Sequence, residues 1–248
     1  MSQLPTPFPV GAIREAPVHL VRAGSGKVVP FGRGAANAAA RGVALLEAIA
    51  AEDGTVRCGP GTFAPTTSIS VNCTLENDLG TVIYSDGDVP VFYATSGLNF
   101  QVRGGRIETE GPDCTPIELR HTDSKFEAEL EEIVADSTEK SPLWIVSGFA
   151  RVVACALVST GYHARIGEDG QVFVQVQQLI AGDNAIETFA GSSSAYLYCE
   201  AQEVIGQQVN EGGDGTLLFA GNASVLAKFG RIISGNGARS IRQLNGDP

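Results

Sequence analysis

The chain is short of the residue types that most often advertise a chemistry. Aromatics make up only 7% of it, with a single tryptophan, so few flat rings are on offer for a groove that stacks on sugars. Trp144 lies within "PLWIV", a run that reads as buried rather than as an exposed platform. Basic residues are scarce too: Lys+Arg number 17 against 28 Asp+Glu, a formal net charge of −11. A field of that sign opposes nucleic-acid binding, which depends on Lys and Arg neutralising phosphates. The five cysteines (Cys58, Cys73, Cys114, Cys155, Cys199) form no C-x-x-C pair and are odd in number, which suggests neither a zinc site nor a disulfide framework. The longest apolar run, "VVACALV" (Val152–Val158), is far too short to span a bilayer, so no membrane partner is expected. The N-terminal "MSQLPTPFPV" lacks the basic-then-apolar order of a signal peptide, and folding in a reducing cytoplasm is the expectation.

What is abundant is glycine, at 30 copies, alongside 43% hydrophobic residues, a mixture that fits an ordered, turn-rich strand protein. Residues 1–34 contain Pro5, Pro7, Pro9, Pro17 and Pro30 and no sustained periodicity. Proline fixes φ and removes a donor, which predicts an extended arm, either a loose tail or a strap onto a neighbouring subunit. Residues 35–53 are alanine-rich and predict a helix, with Ala39, Val43, Leu46, Ile49 and Ala50 as its apolar stripe and Gly54 as its stop. From residue 54 to 248 the chain reads as strands and turns.

Those strands recur. Segments beginning near Phe100, Phe126, Ala150, Val172, Ala195 and Ser224 set a mean period of about 25 residues, each period holding two or three short strands divided by Gly, Asp, Ser or Pro. Propeller blades need about 40 residues, and no leucine-rich pattern is present. A parallel β-helix fits best, with a β-sandwich as the competing architecture. Seven or eight coils about 4.8 Å apart would stack to roughly 35 Å.

A stacked coil leaves its first strand unpaired, and such an edge must be covered. The helix ahead of "DGTVRCGPGTF" (Asp53–Phe63) is placed to lie over the open end. That order, with Gly54, Thr55, Val56, Pro60, Gly61, Thr62 and Phe63, resembles the start of pectate-lyase-like right-handed β-helix proteins. Asp53 departs from the family pattern at its first glycine, and Phe63 stands where tyrosine is usual. The resemblance implies an all-β, right-handed, single-stranded parallel β-helix with an N-terminal capping helix.

Hydrolases of that family carry clustered aspartates followed by G-H-G and R-x-K. Here no two aspartates are adjacent, and none of His19, His121 and His163 is flanked by glycines. The richest acidic stretch is Ser124–Asp136, where Phe126, Ala128 and Leu130 alternate with Glu127, Glu129 and Glu131. Paired carboxylates on one rigid strand face could cleave a glycosidic bond. Aligning Phe100, Phe126 and Ala150, however, sets Arg103 beside Glu129 and Glu127 beside Arg151, a solvated charge ladder worth well under about 1 kcal/mol per pair. His121, near Glu118 and Asp123, has the makings of a general base, but a histidine in such a turn reads first as a surface residue. Glu127, Glu129 and His121 are therefore the catalytic candidates, and no metal or cofactor is expected.

The family also supplies spikes, fibres and coats of tailed bacteriophages. With no catalytic set, the resemblance implies a structural virion protein, folded in the host cytoplasm. The role expected is capsid decoration, as a homotrimer that binds the major capsid protein through the arm and subunit contacts, with a surface glycan as a further partner. The alternatives are a carbohydrate-active β-helix, either a tailspike depolymerase or a polysaccharide lyase or hydrolase, and an autonomous cytoplasmic binding module.

Overall fold

The computed structural model describes residues 16–51, 54–87, 89–111, 114–136, 141–160, 164–182, 186–188, 195–206, 218–220, 224–234 and 242–244. Strand dominates the described residues, which contain one helix, so the protein is all-β. In chain order the elements are β1 (Val18–Arg22), β2 (Val28–Phe31), α1 (Ala38–Ala50), β3 (Gly54–Cys58), β4 (Gly61–Phe63), β5 (Cys73–Asn77), β6 (Thr81–Ser85), β7 (Phe92–Ala94), β8 (Asn99–Arg103) and β9 (Arg106–Glu110). Then follow β10 (Ile117–Asp136), β11 (Leu143–Ser159), β12 (Ala164–Ala181), β13 (Ile186–Thr188), β14 (Tyr196–Gly206), β15 (Leu218–Ala220), β16 (Ser224–Ser234) and β17 (Arg242–Leu244).

Three faces succeed one another around each turn. The first is a parallel ladder of β3, β5, β8 and the middle segments of β10, β11 and β12, continued by the first halves of β14 and β16. The second stacks β4, β6, β9 and the ends of β10, β11 and β12. The third is built from β7 and the opening residues of β10, β11 and β12. A long element such as β10 therefore bends around the perimeter, and its register shifts between Leu119 and Lys125 mark the corner.

This is a parallel β-solenoid of about five turns. That is fewer than the expected seven or eight, although two faces of the ladder run on to β16. Phe100, Phe126, Ala150 and Val172 occupy one column, as their spacing implied. That column continues through Leu197 and Val225, slightly past the expected Ala195 and Ser224.

Alternation places the core. Along β8 the pattern is exposed, buried, exposed, buried, exposed, so Phe100 and Val102 point inward. Phe92, Phe100 and Phe126 are fully buried and pack with ring centroids 5.4, 5.3 and 6.4 Å apart. Each such burial contributes about 1.5–3 kcal/mol. Buried hydroxyls serve the corners: Thr81 Oγ1 donates to Gly59 O at 2.9 Å, and Ser124 Oγ to Ser96 O at 2.7 Å, each tying one coil to the one before.

The N-terminal end departs from expectation. Residues 1–15 of the expected arm lie outside the described residues, whereas β1 and β2 form a hairpin and β1 pairs antiparallel with β3. The first rung's open backbone is thus filled by a strand, because Val18 and Leu20 alternate inward and join the core despite the flanking prolines. The helix is shorter than residues 35–53 and starts at an Asn37 cap, whose side chain accepts from Ala40 N at 2.8 Å. Its buried face is Gly42, Ala44, Leu45, Ala48 and Ile49, not the expected stripe, of which only Ile49 is buried. With alanine on every side, amphipathicity leaves the helix's rotation open, and close approach decides it: a Cβ at Gly42 would stand 2.0 Å from Ala64 O. Gly54 opens β3 rather than stopping the helix, and a Cβ there would meet Val21 O at 2.2 Å.

Candidate functional site

The acidic ladder lies where the register predicts, on the outer side of the first face. Arg103 is opposite Glu129 and Glu127 opposite Arg151. The side chains choose otherwise: Arg151 Nη1 reaches diagonally to Glu129 Oε1 at 3.9 Å. Three coils earlier, Arg57 Nε meets Glu76 Oε2 at 2.7 Å. Glu127 and Glu129 are both exposed, about 7 Å apart by two residues of strand rise. They line a shallow depression of about 160 Å³ with Gln101, Arg103 and Arg151. A glycosidic general acid keeps its proton in an apolar enclosure, and this solvated ladder provides none.

His121 is brought to Asp123 but not to Glu118. Its Nδ1 accepts from Asp123 N at 3.2 Å, and the Asp123 carboxylate is 3.9 Å away. Glu118 is buried on the third face and bonded to Arg120, whose guanidinium sits 6.0 Å from the Tyr93 ring centre and 5.5 Å from that of Trp144. Trp144 is half-buried, with one face given to this arginine. His163 lies outside the described residues. Among the described residues no three His, Cys, Asp or Glu side chains gather as a metal site.

Composition concealed a second outer region. Phe149 on β11, Phe173 on β12 and Tyr196 and Tyr198 on β14 point outward and are half-buried. Register puts Phe173 between Arg151 and Tyr198 in one column, with Phe149, Gln171 and Tyr196 in the next. The Phe173 ring centre stands 5.5 Å from those of Phe149 and Tyr196 and 6.1 Å from that of Tyr198. A hollow of about 190 Å³ opens over Phe173, walled by Arg151, Gln175 and Tyr198. Beside it lies a broader one of about 530 Å³, whose largely apolar floor is edged by Glu129, Gln175, Gln177, Glu200 and Gln202.

Polar groups are tied down along its edge. Tyr198 Oη donates to Glu200 Oε2 at 2.7 Å and accepts from Lys228 Nζ at 3.3 Å, and Gln175 Nε2 donates to the same Glu200 oxygen at 3.3 Å. The Tyr198 hydroxyl, then the Gln175 amide, hold the Glu200 carboxyl below its ordinary range. Lys228 Nζ also lies 5.5 Å from the centre of the Tyr198 ring. The signal in the sequence was parity: each of these aromatics sits at an outward position once the coils are in register.

The second face carries an apolar counterpart. Val134, Val158, Ile180 and Ile205 are register partners in one outward column, continued by Ile233 on β16. Five rungs span about 19 Å along the solenoid. Alongside run Glu132, Ala156, Gln178, Glu203 and Arg231, with Arg231 Nη1 3.6 Å from Glu203 Oε1. Val134 is buried at 8% exposure, and Val158, Ile180, Ile205 and Ile233 are half-buried. No protein-family model, no curated protein and no solved structure matches this chain, so the family resemblance rests on the helix, the residues from Gly54 to Phe63 and the coil rhythm that follows.

Proposed function

We propose that this chain is a structural subunit of a homo-oligomeric assembly, a virion protein of a tailed phage that works as a capsid decoration. The observation that carries the reading is the outward aliphatic column from Val134 to Ile233, which supports side-by-side packing of solenoids. Three copies around a common axis would bury that column against itself, and symmetry multiplies each weak contact to the shell. In this reading the coil is right-handed, as parallel crossovers nearly always are, and runs to seven or eight turns. Helix α1 acts as the lid of the first turn, and residues preceding β1 reach the major capsid protein.

The competing enzymatic reading is served less well, because Glu127 and Glu129 stand in solvent beside arginines. Light scattering on a sizing column tests the proposal. The expected native mass is three times 25.8 kDa, falling to one chain when Ile205→Asp puts a charge in the column. A monomeric wild-type chain overturns it.

A further inference from the structure

We propose that the aromatic surface centred on Phe173 is a binding site for neutral oligosaccharides built from hexopyranose units. This goes beyond the assembly role and uses a different face of the solenoid.

A pyranose ring has an apolar face of C–H bonds and a rim of hydroxyls, so its complement is a flat ring with hydrogen-bonding groups at the edge. Phe173 and Tyr198 supply the rings, two neighbours in one column, one rung apart. Glu200, held in place by Tyr198 and Gln175, supplies a carboxylate acceptor at the rim. Gln175, Gln177 and Gln202 supply amides that both donate and accept. The rungs repeat about every 4.8 Å, close to the length of one sugar unit, so consecutive units can meet successive coils. The two hollows share Gln175 and together extend the site beyond a single ring.

Charge selects the class. Arg151 is engaged by Glu129 and Lys228 by Tyr198, and the whole chain carries −11, so polyanionic glycans are disfavoured. The site differs in kind from the aliphatic column on the second face. Val158, Ile180 and Ile205 offer no hydrogen bonds and suit a protein surface, whereas here donors and acceptors border each ring.

The test is titration calorimetry of the full chain against maltohexaose, cellohexaose and mannohexaose, with heparin and hyaluronate as polyanionic controls. At least one neutral hexaose is expected to bind in the millimolar range or tighter. Phe173→Ala is expected to weaken it roughly tenfold or more, the scale of one lost stacking contact. Tyr198→Phe keeps the ring and removes the hydroxyl that positions Glu200, and is expected to weaken binding several-fold with the fold intact by circular dichroism. Silence from all three hexaoses, binding of the polyanions alone, or unchanged affinity in Phe173→Ala overturns the proposal. A fall in native mass on Phe173→Ala also overturns it, by making the surface a contact between copies. Because Ile205→Asp reports on the assembly and Phe173→Ala on the sugar, either proposal can fail alone.

Discussion

The turns up to Asp136 and the three that follow on β11, β12 and β14 place their phenylalanines on opposite sides of the coil. Tyr84 and Tyr93 face outward even in the earlier turns. In the earlier turns Phe63, Phe92, Phe100 and Phe126 all point inward and are fully buried, while the outer side carries ion pairs such as Arg57–Glu76. In the later turns the inward positions hold smaller residues, Ala150, Val152 and Ala154, then Val172, Val174 and Val176, then Leu197, Cys199 and Ala201. The aromatics of β11, β12 and β14 face outward as Phe149, Phe173, Tyr196 and Tyr198, while Phe229 on β16 packs against the core. One backbone rule, alternation along a stacked strand, serves both. The earlier turns fill their interior with phenylalanine, whereas β11, β12 and β14 hold theirs on the outer side of the coil.

The largest test of this contrast is a matched pair of truncations. Phe126→Ala removes a ring that touches Phe92 and Phe100 in the core and is expected to cost about 3–5 kcal/mol in urea unfolding. Phe173→Ala is expected to cost about 1 kcal/mol, the scale of ring-to-ring contact alone. Equal costs would mean that the later aromatics are core residues too, and the contrast would fall.

A pH titration asks whether the two interiors are alike, since each holds a buried thiol. Burial pushes Cys58 on β3 and Cys199 on β14 from 9.0 up to about 12. Unfolded thiols lose their protons from about pH 9 while the folded ones keep theirs, so stability is full below pH 9 and declines as pH climbs towards 12. Each thiol contributes up to about 1.4 kcal/mol per pH unit in that window. Cys58→Ala and Cys199→Ala should each flatten the slope of the unfolding free energy by a similar amount. A change from only one of them would show that one interior admits water. Exposed Cys155, on the outer side of β11, should react with a thiol reagent well before either.

The smallest expected effect lies in the ladder. Arg57→Ala should cost less than about 1 kcal/mol, because both partners are about one-third exposed (36% and 37%). Salt should reduce that difference further, as the screening length falls from about 30 Å at 0.01 M to about 3 Å at 1 M. A larger, salt-insensitive loss would give the ladder a structural weight that this comparison denies it.

Much of the solenoid was legible because its period is written in inward residues: aligning Phe100, Phe126 and Ala150 reproduces the register of three coils. The helix was legible as a helix but not in its rotation, since alanines on all sides make its faces nearly equivalent until Gly42 meets Ala64. The pairing of Arg151 with Glu129 rather than Glu127 was not legible either, because register brings both carboxylates within reach and rotamers choose between them. The aromatic surface stayed hidden for a related reason. Phe149, Phe173 and Tyr198 are far apart in the chain and scarce in composition, and they meet only once the coils stack, Phe173 directly beside Tyr198 and diagonally from Phe149.

Taken by itself, the amino-acid order determines which positions point inward, because alternation and period are local properties of the chain. Tertiary structure alone decides which outward residues become neighbours. Contacts across coils depend on register to a single residue and on side-chain rotamers, and neither is encoded in any one segment.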